Sequence, residues 1–595
     1  MATTPNSPWI RKPLHAVYQY EQQQLHRHLS LWDLLGIGVG GTVGSGIFVL
    51  TGQIAAQYAG TWTWCSFAVS GVAATCSGVC FAELSGRIPA AGSSYAYAYV
   101  CFGQWAAILA ASCLTLEYGI AGAAVARSWG DKVLLVIAGE NAPNESSWVN
   151  VPALLISALS TLLLVKGVKE SKTATNFVTM MKMLLVFFMI AGGFWLSPTR
   201  TYNNSHKSSI PTAGILRGAT SSFFGYLGYD EVCCVAGEAK HPVRDMPRAV
   251  LGTLGLVTIT YVTASIALTG MVENPQDISP TSGFPSAFRS RHVEWAAEIA
   301  AWGEIVTLPV VVLISLLAQP RLTYGMAQDG LLPAVFAQTD VHGNLVMGTL
   351  IQGTAMTLLA AFVPFTYLND LISAGILVAF SLTDSSLVVL RRESPPNDPG
   401  LLERCLMGYN VLCFLTAILI SHESSWGIVQ LALAVFTALS AALTLVYMTI
   451  QCPASPQFGG TLLQCTQSGN VSSSAPFPDS HYFQTPWVPL IPCLGMAVNW
   501  YLIAQLEVFG LLLLGLYLGV VVLFYLLFCL NGTAPSWAHP TASKSSSSED
   551  AISLISLGHH NFDNEKQSML SEQDEILNYS SAATRNQRLA RRNSR

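Results

Sequence analysis

The chain has 595 residues, 51% of them apolar, and charged side chains make up 11%, against roughly 25% in a soluble domain. So little charge over such a length excludes soluble domains with ordinary polar surfaces, and a net charge of −5 gives no basic footprint for nucleic acid. The 13 cysteines form no disulfide framework: Cys65, Cys76, Cys80, Cys101, Cys113, Cys233 and Cys234 sit in apolar runs, without metal-ligand spacing, so neither a metal nor a cofactor is expected.

The stretch Met1–Ser30 is polar and carries Arg11, Lys12 and Arg27, so no cleavable leader is expected there. Beyond it the chain reads as an all-α integral membrane protein. A spanning helix needs roughly 20 apolar residues, and that ruler gives about fourteen segments: 31–56, 62–84, 103–129, 151–168, 174–196, 214–237, 249–271, 299–327, 346–364, 367–390, 403–421, 426–450, 487–508 and 510–530.

The first span contains Gly36-Ile37-Gly38-Val39-Gly40-Gly41-Thr42-Val43-Gly44-Ser45-Gly46, six glycines in eleven residues. Each glycine costs a helix about 1 kcal/mol relative to alanine. Close helix packing explains spaced glycine pairs, but not a run this dense. Non-helical backbone at membrane depth is tolerated where it lines a cavity or is packed in protein. The span is therefore expected to unwind, leaving the amides of Thr42, Val43, Gly44, Ser45 and Gly46 able to face a carboxylate. Gly36, Gly38 and Gly41 also fit G-x-G-x-x-G, but no strand precedes them, so a dinucleotide fingerprint is excluded.

Charges inside spans are costly and mark interior or functional positions. Glu83 and Arg87, at the inner end of the second span, read as an ion pair or gate. Glu117 lies within the apolar run 106–125, as a partner for a cationic side chain or for another helix. Lys182 lies in 177–195, a run otherwise without charge. An amine held in low dielectric can load and release a proton near neutral pH, which makes Lys182 the candidate coupling group.

The sixth span is interrupted again, by Ser221-Ser222-Phe223-Phe224-Gly225-Tyr226-Leu227-Gly228-Tyr229-Asp230-Glu231. Interruptions five spans apart imply inverted halves, spans one to five and six to ten, and paired broken segments point to a transporter's central site.

Lys and Arg are sparse in one set of loops (Lys132, Arg200, Lys207, Arg289, Arg291) and dense in the other: Arg87; Lys166, Lys169 and Lys172; Lys240, Arg244 and Arg248; Arg391, Arg392 and Arg404. The rich side is cytosolic, and so are both termini. Sequons at Asn144 and Asn203 then fall outside, and those at Asn470 and Asn578 inside. The tail from about 532 is rich in Ser, Asn and Gln and reads as disordered and cytosolic, ending in a basic Arg591-Arg592 run.

The residues in order resemble the cationic amino acid transporter branch of the amino acid–polyamine–organocation superfamily. The resemblance is carried by GVGGTVGSGIFVLTG (38–52), FAELSGRIPAAGSSYAY (81–97), LEYGIAGAAVARSW (116–129), GVKESK (167–172), FFGYLGYDEVCCVAGEAKHPVRDMP (223–247) and RLTYGMAQDGLL (321–332), and it covers about 25–530. It implies a five-plus-five inverted-repeat core (31–390) with helices one and six broken, four further helices (391–530), a cytosolic N-terminal segment (1–30) and a tail (531–595). It also implies alternating access. The amides of Thr42 to Gly46 would hold the substrate carboxylate. The carbonyls of Phe224, Gly225 and Leu227 would hold the ammonium, and Phe224 would close over the substrate from outside. Lys182 matches a fifth-helix lysine standing where sodium-coupled relatives keep a cation, and Glu117 matches a third-helix glutamate associated with cationic substrates.

Three features depart from that pattern: the 277–292 loop, the long 451–486 loop, and Glu231 with Cys233-Cys234, where smaller residues are expected. The expectation is a plasma-membrane carrier of arginine, lysine or ornithine, with a vacuolar or endosomal membrane as the other address and protons as coupling ion. Its partners are an amino acid substrate and lipid, with no nucleic acid. A neutral amino acid carrier, or a sensor or channel of the same fold, would use the same pocket. A multispan enzyme is disfavoured: no nucleophile–base constellation is present, and His422-Glu423 lacks a second zinc-ligating histidine because Trp426 occupies its place.

Overall fold

The computed structural model describes residues 10–13, 29–138 apart from Ser45 and Ala91, 149–166, 172–197, 212–340, 344–421, 427–456, 458–459, 482–506 and 508–529. The four sequons, His422-Glu423, most of the 451–486 loop and the tail lie outside the described residues. Among those described there are only helices and two isolated bridges, Leu29 with Ala239 and Arg392 with Ala454. Among the described residues nine helices are long and apolar enough to cross a membrane, and three shorter apolar ones are Val151–Val165, Val346–Phe362 and Leu490–Ala504. The chain is therefore a multi-pass membrane protein.

The first helix, α1 (Leu31–Thr42), starts on a capping box: Ser30 Oγ accepts from the Asp33 amide while Asp33 Oδ2 accepts from the Ser30 amide at 3.0 Å. It ends inside the glycine run, and helical structure resumes as a π-helical turn at Gly46–Leu50. Then follow α2 (Thr63–Arg87), α3 (Ser94–Phe102), α4 (Gln104–Thr115), a π-turn at Leu116–Ile120, α5 (Ala121–Ala138), α6 (Val151–Val165) and α7 (Lys172–Leu196). The sixth span, 214–237, divides where its interruption is expected. Helix α8 (Thr212–Phe223) gives way to a tight turn, Phe224–Tyr226, and Leu227 is extended at φ −62°, ψ 145°. Gly228 takes φ 112°, a conformation closed to most side chains, before the short α9 (Glu231–Cys234).

Helix α10 (Pro242–Met271) packs most extensively against α2. The 277–292 stretch, expected as a loop, contains α11 (Gly283–Ser290), whose Phe284 and Phe288 are buried. Helices α12 (Glu294–Gln328), α13 (Val346–Phe362), α14 (Phe365–Arg391), α15 (Leu401–Ser421), α16 (Gly427–Gln451), α17 (Leu490–Ala504) and α18 (Val508–Phe524) complete the order. Burial separates pillar from periphery. The most apolar stretch of α14 is 94% buried within protein, whereas that of α16 is 11% buried and presents Ile428, Leu431, Phe436 and Leu443 outward, as a lipid-facing helix must.

Lys132, read as an outer-loop cation, stands instead on α5 and is buried. It donates to Glu304 Oε2 of α12 at 2.5 Å, Thr281 O at 2.7 Å and Phe48 O at 3.0 Å. At the opposite end, Lys12 pairs with Asp329 at 2.8 Å, and Tyr95 Oη donates to the same carboxylate at 2.7 Å.

Candidate functional site

The two interruptions meet. A methyl placed on Gly46 would lie 2.7 Å from the Gly225 Cα, so only glycine at both positions lets the backbones approach this closely. Tyr261 of α10 ties them: its hydroxyl donates to Thr42 O at 2.8 Å and to Gly225 O at 2.7 Å. Tyr261 was missed in the sequence, where nothing separates it from the other tyrosines of apolar runs.

The structure sorts the expected backbone groups. The Val43 amide is spent on Val39 O at 2.9 Å, because α1 takes one more helical bond before it breaks, so Val43 is not an open donor here. Gly44 O receives both Ile47 N and Phe48 N at 3.1 Å. The Thr42 hydroxyl turns back onto Gly38 O at 2.7 Å. Thr42 belongs to the last turn of α1, Gly44 and Gly46 stand at the break, and Ser45 lies outside the described residues. On the other side Phe224 O accepts from Leu227 N at 3.3 Å and Gly225 O accepts from Tyr261, each keeping a second lone pair. The Leu227 carbonyl follows the extended residue that opens the break. Phe224 is buried and meets Phe365 of α14 edge-on, with centroids 5.9 Å apart.

Lys182 of α7 is 2% exposed, and its Nζ donates to Gly40 O in the last turn of α1 at 2.5 Å. Glu117 sits on the π-turn 116–120, a local bulge that re-aims a side chain into the bundle. It is buried near Asp230; among the described residues none of the four carboxylate oxygens has a hydrogen-bond partner and no cation pairs with either group. Glu83 and Arg87 do form an ion pair, at 3.1 Å, away from the interruptions. Arg391 of α14 reaches Glu83 at 3.6 Å, the Thr485 amide donates to it at 2.7 Å, and the Arg87 guanidinium lies 4.4 Å over the Phe458 ring. The structure thus gathers Thr42, Val43, Gly44, Gly46, Phe224–Leu227, Lys182 and, near Asp230, Glu117 around the two breaks, and sets Glu83 and Arg87 apart.

Residues 29–458 match the amino acid permease family, and residues 483–532 match the family describing the C-terminus of such permeases. The chain is 35% identical to the vacuolar cationic amino acid transporter 4 of Arabidopsis thaliana over 401 residues, covering 65% of this chain and 67% of that protein. It is 33% identical to the mitochondrial cationic amino acid transporter 3 of the same plant, covering 64% of each. It is 34% identical to the methylthioribose transporter of Bacillus subtilis, covering 66% of this chain and 87% of that one. The chain thus spans about two thirds of the length of these plant relatives. Both interrupted helices and the lysine against the first of them fall inside the matched region, and the chain belongs to the amino acid permease family, in its cationic amino acid transporter group.

Proposed function

We propose that this chain is a secondary transporter that carries cationic amino acids such as arginine, lysine and ornithine across a membrane by alternating access, driven by protons. The observation that carries the reading is the contact of two broken helices at Gly46 and Gly225, next to amides and carbonyls that suit an α-carboxylate and an α-ammonium. In this reading the amides of Gly44 to Gly46 hold the carboxylate, the carbonyls of Phe224, Gly225 and Leu227 hold the ammonium, and Phe224 against Phe365 closes the outer side. Glu117, with Asp230 beside it, receives the cationic end of the side chain. The relatives named for cationic amino acids support that side-chain class.

Lys182 couples the proton. When charged it holds the last turn of α1 through Gly40 O, and when neutral it holds that turn less firmly. The layout proposed with this function is fourteen spans, ten of them an inverted-repeat core, with both termini cytosolic and Glu83 with Arg87 closing the inner side. The plasma membrane is the proposed location, and the vacuolar relative makes an internal membrane the alternative to test by imaging.

The test is uptake of labelled arginine into liposomes holding the purified protein, with and without an inward proton gradient. The expected result is uptake that the gradient accelerates, and a Lys182→Ala variant that inserts normally but no longer responds to pH. Absence of arginine uptake under every condition would refute the cationic reading, and a substrate panel would then find the neutral amino acid carried instead.

A further inference from the structure

Glu231 is the acidic side chain of the two breaks to which the transport reading assigns no task. It opens α9, where the sixth span resumes, and reaches across to α1: a methyl on Gly41 would lie 2.7 Å from Glu231 Oε2. Gly41 leaves the room that a larger residue would fill. On the preceding residue, Gly40, the carbonyl takes the Lys182 ammonium at 2.5 Å. The acid and the amine thus meet the same turn of α1 on consecutive residues, within electrostatic range of each other.

Their accessibility differs. Lys182 is 2% exposed, whereas Glu231 is half-buried. Among the described residues neither forms an ion pair, whether with the other or with a further charged side chain, and they act on each other through space. The titratable groups facing Glu231 are Asp230 from the same break, Lys182 from α7, Glu117 from the π-turn and Cys234 from α9. Helix α1 offers only the backbone of Gly41 there.

We propose that Glu231 is the second station of the coupling proton, receiving it from Lys182 and passing it to the water-accessible side of the inner half of the site. This rests on the reading of Lys182 as the coupling group. The step conserves charge: an ammonium and a carboxylate become an amine and a carboxylic acid, as one N–H bond breaks and one O–H bond forms. The acid then gives the proton to water and returns to the carboxylate. The transfer removes the positive charge that strengthens the bond to Gly40 O, so α1 loosens when the proton leaves Lys182. Proton movement and release of the inner half of the first span become one event. A lysine without this neighbour would have to hand its proton directly to water from a buried position.

The experiment compares wild type, Glu231→Gln, Glu231→Asp and Lys182→Ala in liposomes loaded with a pH-sensitive dye. Labelled arginine uptake is measured under an inward proton gradient, and arginine exchange is measured at equal pH on both sides. The readout is the ratio of gradient-driven uptake to equal-pH exchange, with dye acidification alongside. Glu231→Gln is expected to lose the gradient response and the acidification, as Lys182→Ala does, and Glu231→Asp to restore both. Should Glu231→Gln prove unable to exchange, the aspartate variant decides: a retained gradient response supports the relay and a lost one overturns it. A gradient-driven wild type matched by Glu231→Gln overturns the relay alone. A wild type indifferent to the gradient overturns the reading of Lys182 and the relay together.

Discussion

Removing Lys132 should open the side of the protein proposed as extracellular. The Lys132 ammonium joins four parts of the chain: α5, which carries it, Glu304 of α12, Thr281 of the segment after α10, and Phe48 in the outer half of the broken first span. Both charges are nearly fully buried, at 5% and 1% side-chain exposure. In Lys132→Met the Glu304 carboxylate is left in protein without its cation, a loss of about 3–5 kcal/mol when one partner of a buried pair is deleted. The penalty applies to the arrangement in which these four parts are packed together, and an outward-open arrangement that hydrates Glu304 escapes it. A shift of about 3 kcal/mol corresponds to about a hundredfold change in the ratio of the two. The assay is labelling by a membrane-impermeant maleimide of a cysteine placed at Gln53, which is 4% exposed and lines the cleft beside Phe365. Labelling should accelerate by about tenfold or more in Lys132→Met, and return towards the parent rate in Lys132→Met with Glu304→Gln, where no charge is stranded. Equal labelling of parent and single variant, or a double variant as fast as the single, would refute the reasoning.

Glu117→Gln should lower arginine and lysine transport more than transport of a neutral amino acid, read as separate uptake rates; an equal loss for all substrates removes the cation-selecting role. Gly46→Ala forces a carbon to within 2.7 Å of the Gly225 Cα and 2.5 Å of Tyr261 Oη, so it should abolish substrate-induced thermal stabilisation, while Gly255→Ala, with open space around it, should not. Asp329→Asn removes the charge that holds Lys12 and accepts from Tyr95, a loss of about 1.5–3 kcal/mol per charge-assisted bond. It should speed hydrogen exchange at the Gln104 amide, which is bonded to Ile10 O at 3.1 Å; unchanged protection there would show that the N-terminal segment is held by other contacts.

Much of the architecture was legible because a bilayer imposes a simple rule on composition. Runs of about 20 apolar residues can only be helices, so the segment boundaries at 346–364, 367–390 and 403–421 lie within two residues of the helices observed. The glycine density of 36–46 marked the first interruption for the same reason: backbone entropy is local, and six glycines in eleven residues raise it whatever packs around them. The interruption at Phe224–Asp230 is visible in the sequence from its glycine, aromatic and acidic content.

Pair identities were not legible. Lys132 read as a loop cation because its run ends near it, yet it is buried by Glu304, which is 172 residues away in the chain. Asp230 could not be matched with Glu117, nor Tyr261 with Thr42 and Gly225, since these meet only when distant helices cross.

The amino-acid sequence by itself determined that this protein crosses a membrane as helices, and where two of them fail, because solvation and backbone freedom act residue by residue. Which amides the first failure leaves open, which carbonyl Lys182 grips and which acid stands beside it were decided by the tertiary structure alone. Those outcomes depend on distances between helices, and helix packing is settled by the whole set of neighbours at once.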